Sequence, residues 1–174
     1  KHAVAVHPEI FYLVKLGLEN SLAAGSRINI LIGPVVQTWR VGFSDARVPT
    51  DEEIKAKLQL TDATKVELDD EHQTIFLLEE GMRIDLGCIA KGYIADLVIQ
   101  QQKELGVTSA LINLGGNVLT LGPAVHHEDG NWWIGIQNPK LLRGENVALL
   151  PIQDESIVTS GVYERVLEVD GKKY

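Results

Sequence analysis

Met82-Arg83-Ile84-Asp85-Leu86-Gly87-Cys88-Ile89-Ala90-Lys91-Gly92-Tyr93 changes its repeat half-way along. Met82, Ile84 and Leu86 alternate with other residues, the two-residue period of a strand. Ile89, Tyr93 and Leu97 then stand four apart, with Ala90, Ile94 and Val98 beside them, the period of a helix. The reading is a short third strand, a small-residue turn at Gly87, and a long helix from about Cys88 to Leu105 that Gly106 stops. Asp85 closes the strand and Lys91 falls in the first helical turn. Free backbone N–H groups at a helix start attract anions, so this corner suits a phosphate, with Asp85 on a base, a ribose or a metal. Asp85 as a plain helix cap is the other reading, and the spacing leaves both open.

Outward from this corner, the chain alternates helical and extended stretches in no strict order. Pro8 to about Ala24 reads as a helix with its apolar stripe on Ile10, Val14, Leu18 and Leu22. Arg27 to Trp39 reads as a short extended piece, broken by Gly33-Pro34, and then a turn or short helix. Thr50-Asp51-Glu52-Glu53 has the form of a capping box and opens a helix of about ten residues. Val66 and Leu68, the turn residues Asp69-Asp70-Glu71-His72, and Thr74 to Leu78 make a hairpin. Ser109 to Leu114 is almost wholly apolar, which predicts a strand buried on both faces. Gly115-Gly116-Asn117 turns the chain into Val118 to Leu121. Trp132 to Gln137, Val147 to Ile152, Ser156 to Thr159 and Val166 to Val169 add four more strands. Val125 to Asn131, rich in His, Asp and Gly, reads as a soft joint. This order predicts an α+β fold: mixed or antiparallel sheets packed with two long helices and one short one.

Composition removes several classes of function. Of 174 residues, 45% are apolar and 23% charged, which is globular rather than disordered. The net charge of −8 opposes sequence-independent binding to nucleic acid, itself a polyanion. The one cysteine, Cys88, cannot form an internal disulfide or a thiolate metal cluster, and reads as a small buried packing residue. The uncharged windows Ile28 to Trp39 and Gly106 to His127 are too short or too broken by Gly and Pro to span a membrane. His126-His127 reads as solvated loop rather than a zinc site. No Walker, Rossmann or serine-elbow sequence is present. Three further clusters, Gly25-Ser26-Arg27-Ile28-Asn29, Asn113-Leu114-Gly115-Gly116-Asn117 and Thr159-Ser160-Gly161-Val162-Tyr163-Glu164-Arg165, fit either ligand loops or self-satisfied turns.

Together the clusters resemble the FAD:protein FMN transferases, or ApbE proteins. Asp85-Leu86-Gly87-Cys88-Ile89-Ala90-Lys91-Gly92-Tyr93 is similar to that family's Asp-Leu-Gly-Gly-Ile-Ala-Lys-Gly-Tyr motif. Leu111 to Asn117 resembles its buried strand and glycine turn. Thr159-Ser160-Gly161 with Tyr163-Glu164-Arg165, then Asp170-Gly171-Lys172, is similar to a third block, and Ile32-Gly33-Pro34-Val35-Val36 with Trp39 and Arg47-Val48-Pro49 to a fourth.

The resemblance implies a single ApbE-like (T-fold-like) domain over 1–174, incomplete at both ends. It implies Mg²⁺-dependent transfer of FMN from FAD to a Thr or Ser hydroxyl of an acceptor flavoprotein, with AMP released. By that pattern Asp85 and Lys91 contact FAD, together with Arg27, Ile28 and Asn29, and with Asn113, Gly115 and Gly116 of the glycine turn. The main-chain carbonyl of Cys88 offers oxygen to Mg²⁺, where relatives carry Gly, Ala or Thr. Asn29 stands where relatives often carry Asp. The family's His-His-Ile stretch and its later Asp and Thr metal ligands are expected beyond Tyr174, and a flavin-binding stretch before Lys1. The resemblance also suggests a membrane-associated extracytoplasmic lipoprotein, with a cytoplasmic protein as the alternative. Two rival activities share the scaffold: an FAD-binding protein that does not transfer, and an Mg²⁺-dependent FAD pyrophosphatase.

Overall fold

A computed structural model describes residues 2–142, 144–161 and 166–174. The described residues of Lys1–Ala90 and Arg165–Tyr174 make one compact unit, and those of Lys91–Glu164 make a second. The class is α+β, as the order of periodic segments predicts, and every strand pairing among the described residues is antiparallel. No helix of the described residues is long and apolar enough to cross a membrane.

The first unit contains strand β1 (Val4–Ala5), helix α1 (Pro8–Leu22), a 3₁₀ turn (Ile30–Ile32), helix α2 (Gly33–Trp39), helix α3 (Asp51–Leu58), the hairpin β2 (Val66–Asp69) and β3 (Thr74–Leu77), and a short hairpin late in the chain. β1 was not foreseen; it pairs Val4 with Ile75 and Ala5 with Thr74, giving the order β1-β3-β2. The core gathers Phe11, Val14 and Leu18 from α1 with Ile30, Leu31, Ala63, Ile75 and Met82. The α1 stripe is therefore rotated from the expected one: Ile10 and Leu22 are about half exposed, and Phe11 and Leu13 are buried instead. Gly17 explains the rotation. Its missing side chain lets Ile30 seat against the helix, so the face carrying Gly17 turns inward.

Helix α3 begins with the capping box the sequence predicts: Thr50 Oγ1 accepts from the Glu53 N–H at 3.2 Å, and the Thr50 N–H donates to Glu53 Oε2 at 2.8 Å. Arg47 adds a forked pair, Nη1 to Oε2 and Nη2 to Oε1, both 2.7 Å. Donation by Arg47, and then by the Thr50 N–H, pulls the Glu53 carboxyl from its usual 4.5 to about 2. Met82 to Leu86 is not the third strand the pattern predicts: it forms no regular element, and Asp85 within it bonds Ile30 of the 3₁₀ turn.

The second unit carries helix α4 (Ala90–Glu104), the sheet of β4 (Ala110–Asn113), β5 (Asn117–Leu121) and β8 (Ser156–Val158) in the order β4-β5-β8, and the hairpin β6 (Trp132–Gln137) with β7 (Asn146–Ile152). β4 is an edge strand with one open face, Leu111 being 39% exposed; the strand covered on both faces is its central neighbour β5. On α4 the buried residues are Ala95 and Ile99 rather than the large stripe, with Ile94 and Leu97 partly exposed. Gly92 looks toward Asn117 of β5 one turn before Ala95, so the buried side of this helix carries small residues beside Ile99. Val125 to Asn131 is a knot rather than a joint. Ala124 donates to the Gly130 carbonyl at 2.9 Å, and Asp129 accepts from the Asn131 N–H (3.0 Å) and Trp133 Nε1 (3.1 Å).

Strands β9 (Glu168–Val169) and β10 (Lys172–Lys173) form a small hairpin across Asp170-Gly171, shorter at its start than Val166 to Val169, and belong to the first unit. Of the polar loop read after β8, Val162, Tyr163, Glu164 and Arg165 lie outside the described residues.

Gly17→Ala tests the α1 packing. A Cβ there would stand 2.6 Å from Ile30 Cγ2, and Ile30 has no exposed surface to retreat into. Thermal melts should show a net loss of about 1 kcal/mol, overpacking outweighing the helix propensity that alanine gains. Glu53 gives a pH test. Its folded pKa lies below its unfolded one, so its contribution is full above pH 4.5 and is lost as pH falls toward about 2. The melting-temperature gap between wild type and Glu53→Gln should be widest near neutrality and close over that window.

Candidate functional site

The Asp85 turn hangs from the core by its backbone. The Asp85 N–H donates to the carbonyl of Ile30 at 2.7 Å, and a Cβ on Gly33 would press on the Arg83 carbonyl at 2.8 Å. Two blocks far apart in sequence, 30–34 and 83–90, thus meet in space. Asp85 Oδ1 accepts from the Gly87 N–H at 2.8 Å, an Asx turn. A side chain at position 87 would crowd that same oxygen, with its Cβ at 3.0 Å, hence glycine. The Leu86 carbonyl then accepts from Ile89 (3.0 Å) and Ala90 (2.8 Å), and α4 begins.

The two readings of Asp85 are compatible in this geometry. One carboxylate oxygen shapes the turn; Oδ2 takes no hydrogen bond among the described residues and has no cationic partner there. Cys88 is exposed, against the expectation of a packing residue, because the turn at Gly87 lifts it off the core. Among the described residues its carbonyl accepts no backbone bond from the first helical turn. Lys91 is exposed and forms no ion pair among the described residues. Two concavities stand out: a shallow one of about 390 Å³ between α4 and β5, and a mainly apolar groove of about 860 Å³ lined by β1, α1, β3, Ile84 and Leu86. Asp85, Cys88 and Lys91 line neither; their turn is open to solvent rather than plugged.

The remaining expected residues divide by what their polar atoms already do. Asn29 is committed to the fold, Oδ1 accepting from the Leu31 N–H (2.8 Å) and Nδ2 donating to the Thr61 carbonyl (2.8 Å). Arg27 and Ile28 are exposed just before it, in the segment whose Ile30 carbonyl holds the Asp85 N–H. Asn113, Gly115 and Gly116 build the β4–β5 turn in the second unit. Asn113 Oδ1 accepts from the Gly116 N–H at 2.9 Å, both glycines have positive φ (61° and 89°), and the Thr159 N–H donates to the Gly116 carbonyl at 3.2 Å. Among the described residues no three His, Cys, Asp or Glu gather as a metal site. Asn117, inside the glycine-turn motif but not among the expected ligand residues, is the buried polar residue the reading missed.

The model of the ApbE family matches residues 1–174. The chain belongs to the ApbE family. Over all 174 residues it is 42% identical to the FAD:protein FMN transferase of Klebsiella pneumoniae (strain 342), covering 52% of that protein. It is 32% identical to the enzyme of the same name from Treponema pallidum (strain Nichols), with 98% of this chain and 50% of that protein aligned. Among solved structures, the ApbE protein of Thermotoga maritima superposes with a TM-score of 0.89 at 28% identity, over 100% of this chain and 56% of that one. The apo flavinyl transferase ApbE of Pseudomonas stutzeri gives 0.75 at 28% identity, over 99% and 52%. The chain thus spans about half the length of the relatives it matches.

Asn29→Ala should cost about 1–3 kcal/mol in a thermal melt, because it strands the Leu31 N–H and the Thr61 carbonyl together. A change within error would show that water replaces both bonds.

Proposed function

We propose that the full-length protein transfers FMN from FAD to a Thr or Ser hydroxyl of an acceptor protein. The hydroxyl oxygen bonds to the phosphorus on the FMN side, the bond from that phosphorus to the bridging oxygen breaks, AMP leaves and the hydroxyl proton is released. Family membership along the whole chain supports this reading, as does its likeness to two FAD:protein FMN transferases. The observation that carries it is the turn itself: among the described residues one Asp85 carboxylate oxygen is left over after the turn is made, the Cys88 carbonyl takes no backbone bond, and the Lys91 ammonium has no ion-pair partner.

Such displacements need charge neutralisation and positioning more than covalent help. Lys91 and the start of α4 supply fixed positive potential for a pyrophosphate. Asp85, with its backbone held by Ile30, gives a rigid acceptor for a ligand donor. Main-chain and carboxylate oxygens fit Mg²⁺, which takes few protein ligands and keeps water and substrate oxygens for the rest; the exposed Cys88 thiol is too soft for it. When bound, Mg²⁺ would neutralise pyrophosphate charge, held in part by the Cys88 carbonyl.

The test is mass spectrometry of an acceptor protein incubated with full-length enzyme, FAD and Mg²⁺. FMN on the acceptor supports transfer; free FMN and AMP without acceptor would make the protein a pyrophosphatase, and intact bound FAD a binding protein. Asp85→Asn keeps the oxygen that accepts from Gly87, so its melting temperature should hold while transfer falls by about 10–100-fold. Lost stability with normal transfer would reduce Asp85 to a cap.

A further inference from the structure

Two polar side chains are buried, Asn117 (6% exposed) and Thr120 (3%). The Thr120 hydroxyl is satisfied by the Glu155 backbone, donating to its carbonyl at 3.1 Å and accepting from its N–H at 3.3 Å. The Asn117 amide forms no hydrogen bond among the described residues, although its backbone pairs with Leu114. An amide offers two N–H donors and a two-lone-pair acceptor, and since no polar side-chain atom among the described residues is both sealed from solvent and unpaired, the unbonded tip of this otherwise buried residue stays within reach of a small ligand. It also has a direction. Beyond the helix's own backbone, Nδ2 is the only atom among the described residues within 4 Å of where a Cβ on Gly92 would stand, at 3.8 Å, and Gly92 is the third residue of the fifteen-residue α4.

That turn has donors of its own. The N–H groups of Lys91 and Gly92 take no bond among the described residues, as expected at the start of a helix, and Lys91 adds an unpaired charge. Glycine at 92 leaves no side chain between these N–H groups and Asn117. The β4–β5 turn fixes the other side, holding Asn117 at its first strand position through the Asn113–Gly116 and Gly116–Thr159 bonds.

We propose that Asn117 is a phosphate-binding residue, donating through Nδ2 into an oxyanion corner completed by the first turn of α4. The identity of that phosphate as the pyrophosphate of FAD rests on the transferase reading above; the corner itself requires only a phosphoryl group. Asn117→Asp replaces the donor with a repelling oxygen. Gly92→Ala puts a methyl group into the corner at ordinary van der Waals distance from Asn117, and favours the helix.

The experiment is calorimetric titration of full-length wild type and both variants with pyrophosphate, FAD and riboflavin, beside thermal melts. Asn117→Asp should weaken pyrophosphate and FAD by about tenfold or more while riboflavin, which has no phosphate, is unchanged. Gly92→Ala should weaken the same two ligands with no loss of melting temperature, and decides the matter alone if Asn117→Asp does not fold. Equal pyrophosphate affinity in wild type and Gly92→Ala overturns the corner, as does a wild type that does not bind pyrophosphate. An equal loss of riboflavin would overturn it too, by making Asn117 a flavin-shaping residue. Pyrophosphate bound and lost as expected, with FAD never bound, keeps the corner and sinks only the flavin reading.

Discussion

The first unit depends on how Ile30 is held. Its side chain, with no exposed surface, seats where Gly17 leaves α1 bare; its N–H donates to Ser21 Oγ at 3.0 Å; its carbonyl takes the Asp85 N–H. One residue earlier Asn29 straps the 3₁₀ turn to Thr61, and three later Gly33 lies on Arg83. A hydrophobic contact and a short chain of backbone bonds therefore transmit the rigidity of the core to the Asp85 turn. The turn is held without a strand partner, since Met82 to Leu86 joins no sheet among the described residues.

Local chemistry carried most of what the sequence showed. The capping box at Thr50, the β2–β3 hairpin and the β6 limits depend on neighbours a few residues apart, and all are found where the pattern puts them. The helical stripes were harder. Large apolar residues marked Ile10, Leu22, Ile94 and Leu97 as inward, yet the contacts that orient α1 and α4 are made at Gly17 and at Gly92 with Ala95, where a helix comes closest to its neighbour. Hydrophobicity measures what benefits from burial; it does not report where two backbones approach. β4 and β5 were exchanged for a similar reason, since edge and centre are properties of the sheet rather than of the strand.

The candidate site was legible as a motif and less so as geometry. A carboxylate, a glycine and a lysine at these spacings marked a turn, and the structure forms that turn, open to solvent. The sequence posed cap and ligand as competitors for Asp85, whereas a carboxylate has two oxygens and the structure spends one. Asn29 differs in that both ends of its amide already serve the fold, the oxygen with one bond and the nitrogen with another. Asn117 was invisible as a site because an asparagine after two glycines looks like turn chemistry until its burial and its lack of partners are known.

The outward position of Cys88 has a practical side. It is the chain's sole thiol, and it sits on the surface between the Gly87 turn and the start of α4. A maleimide dye would therefore attach at one place, on the very segment whose occupancy is in question, with no background cysteines to remove. The molecule comes with its own reporter position.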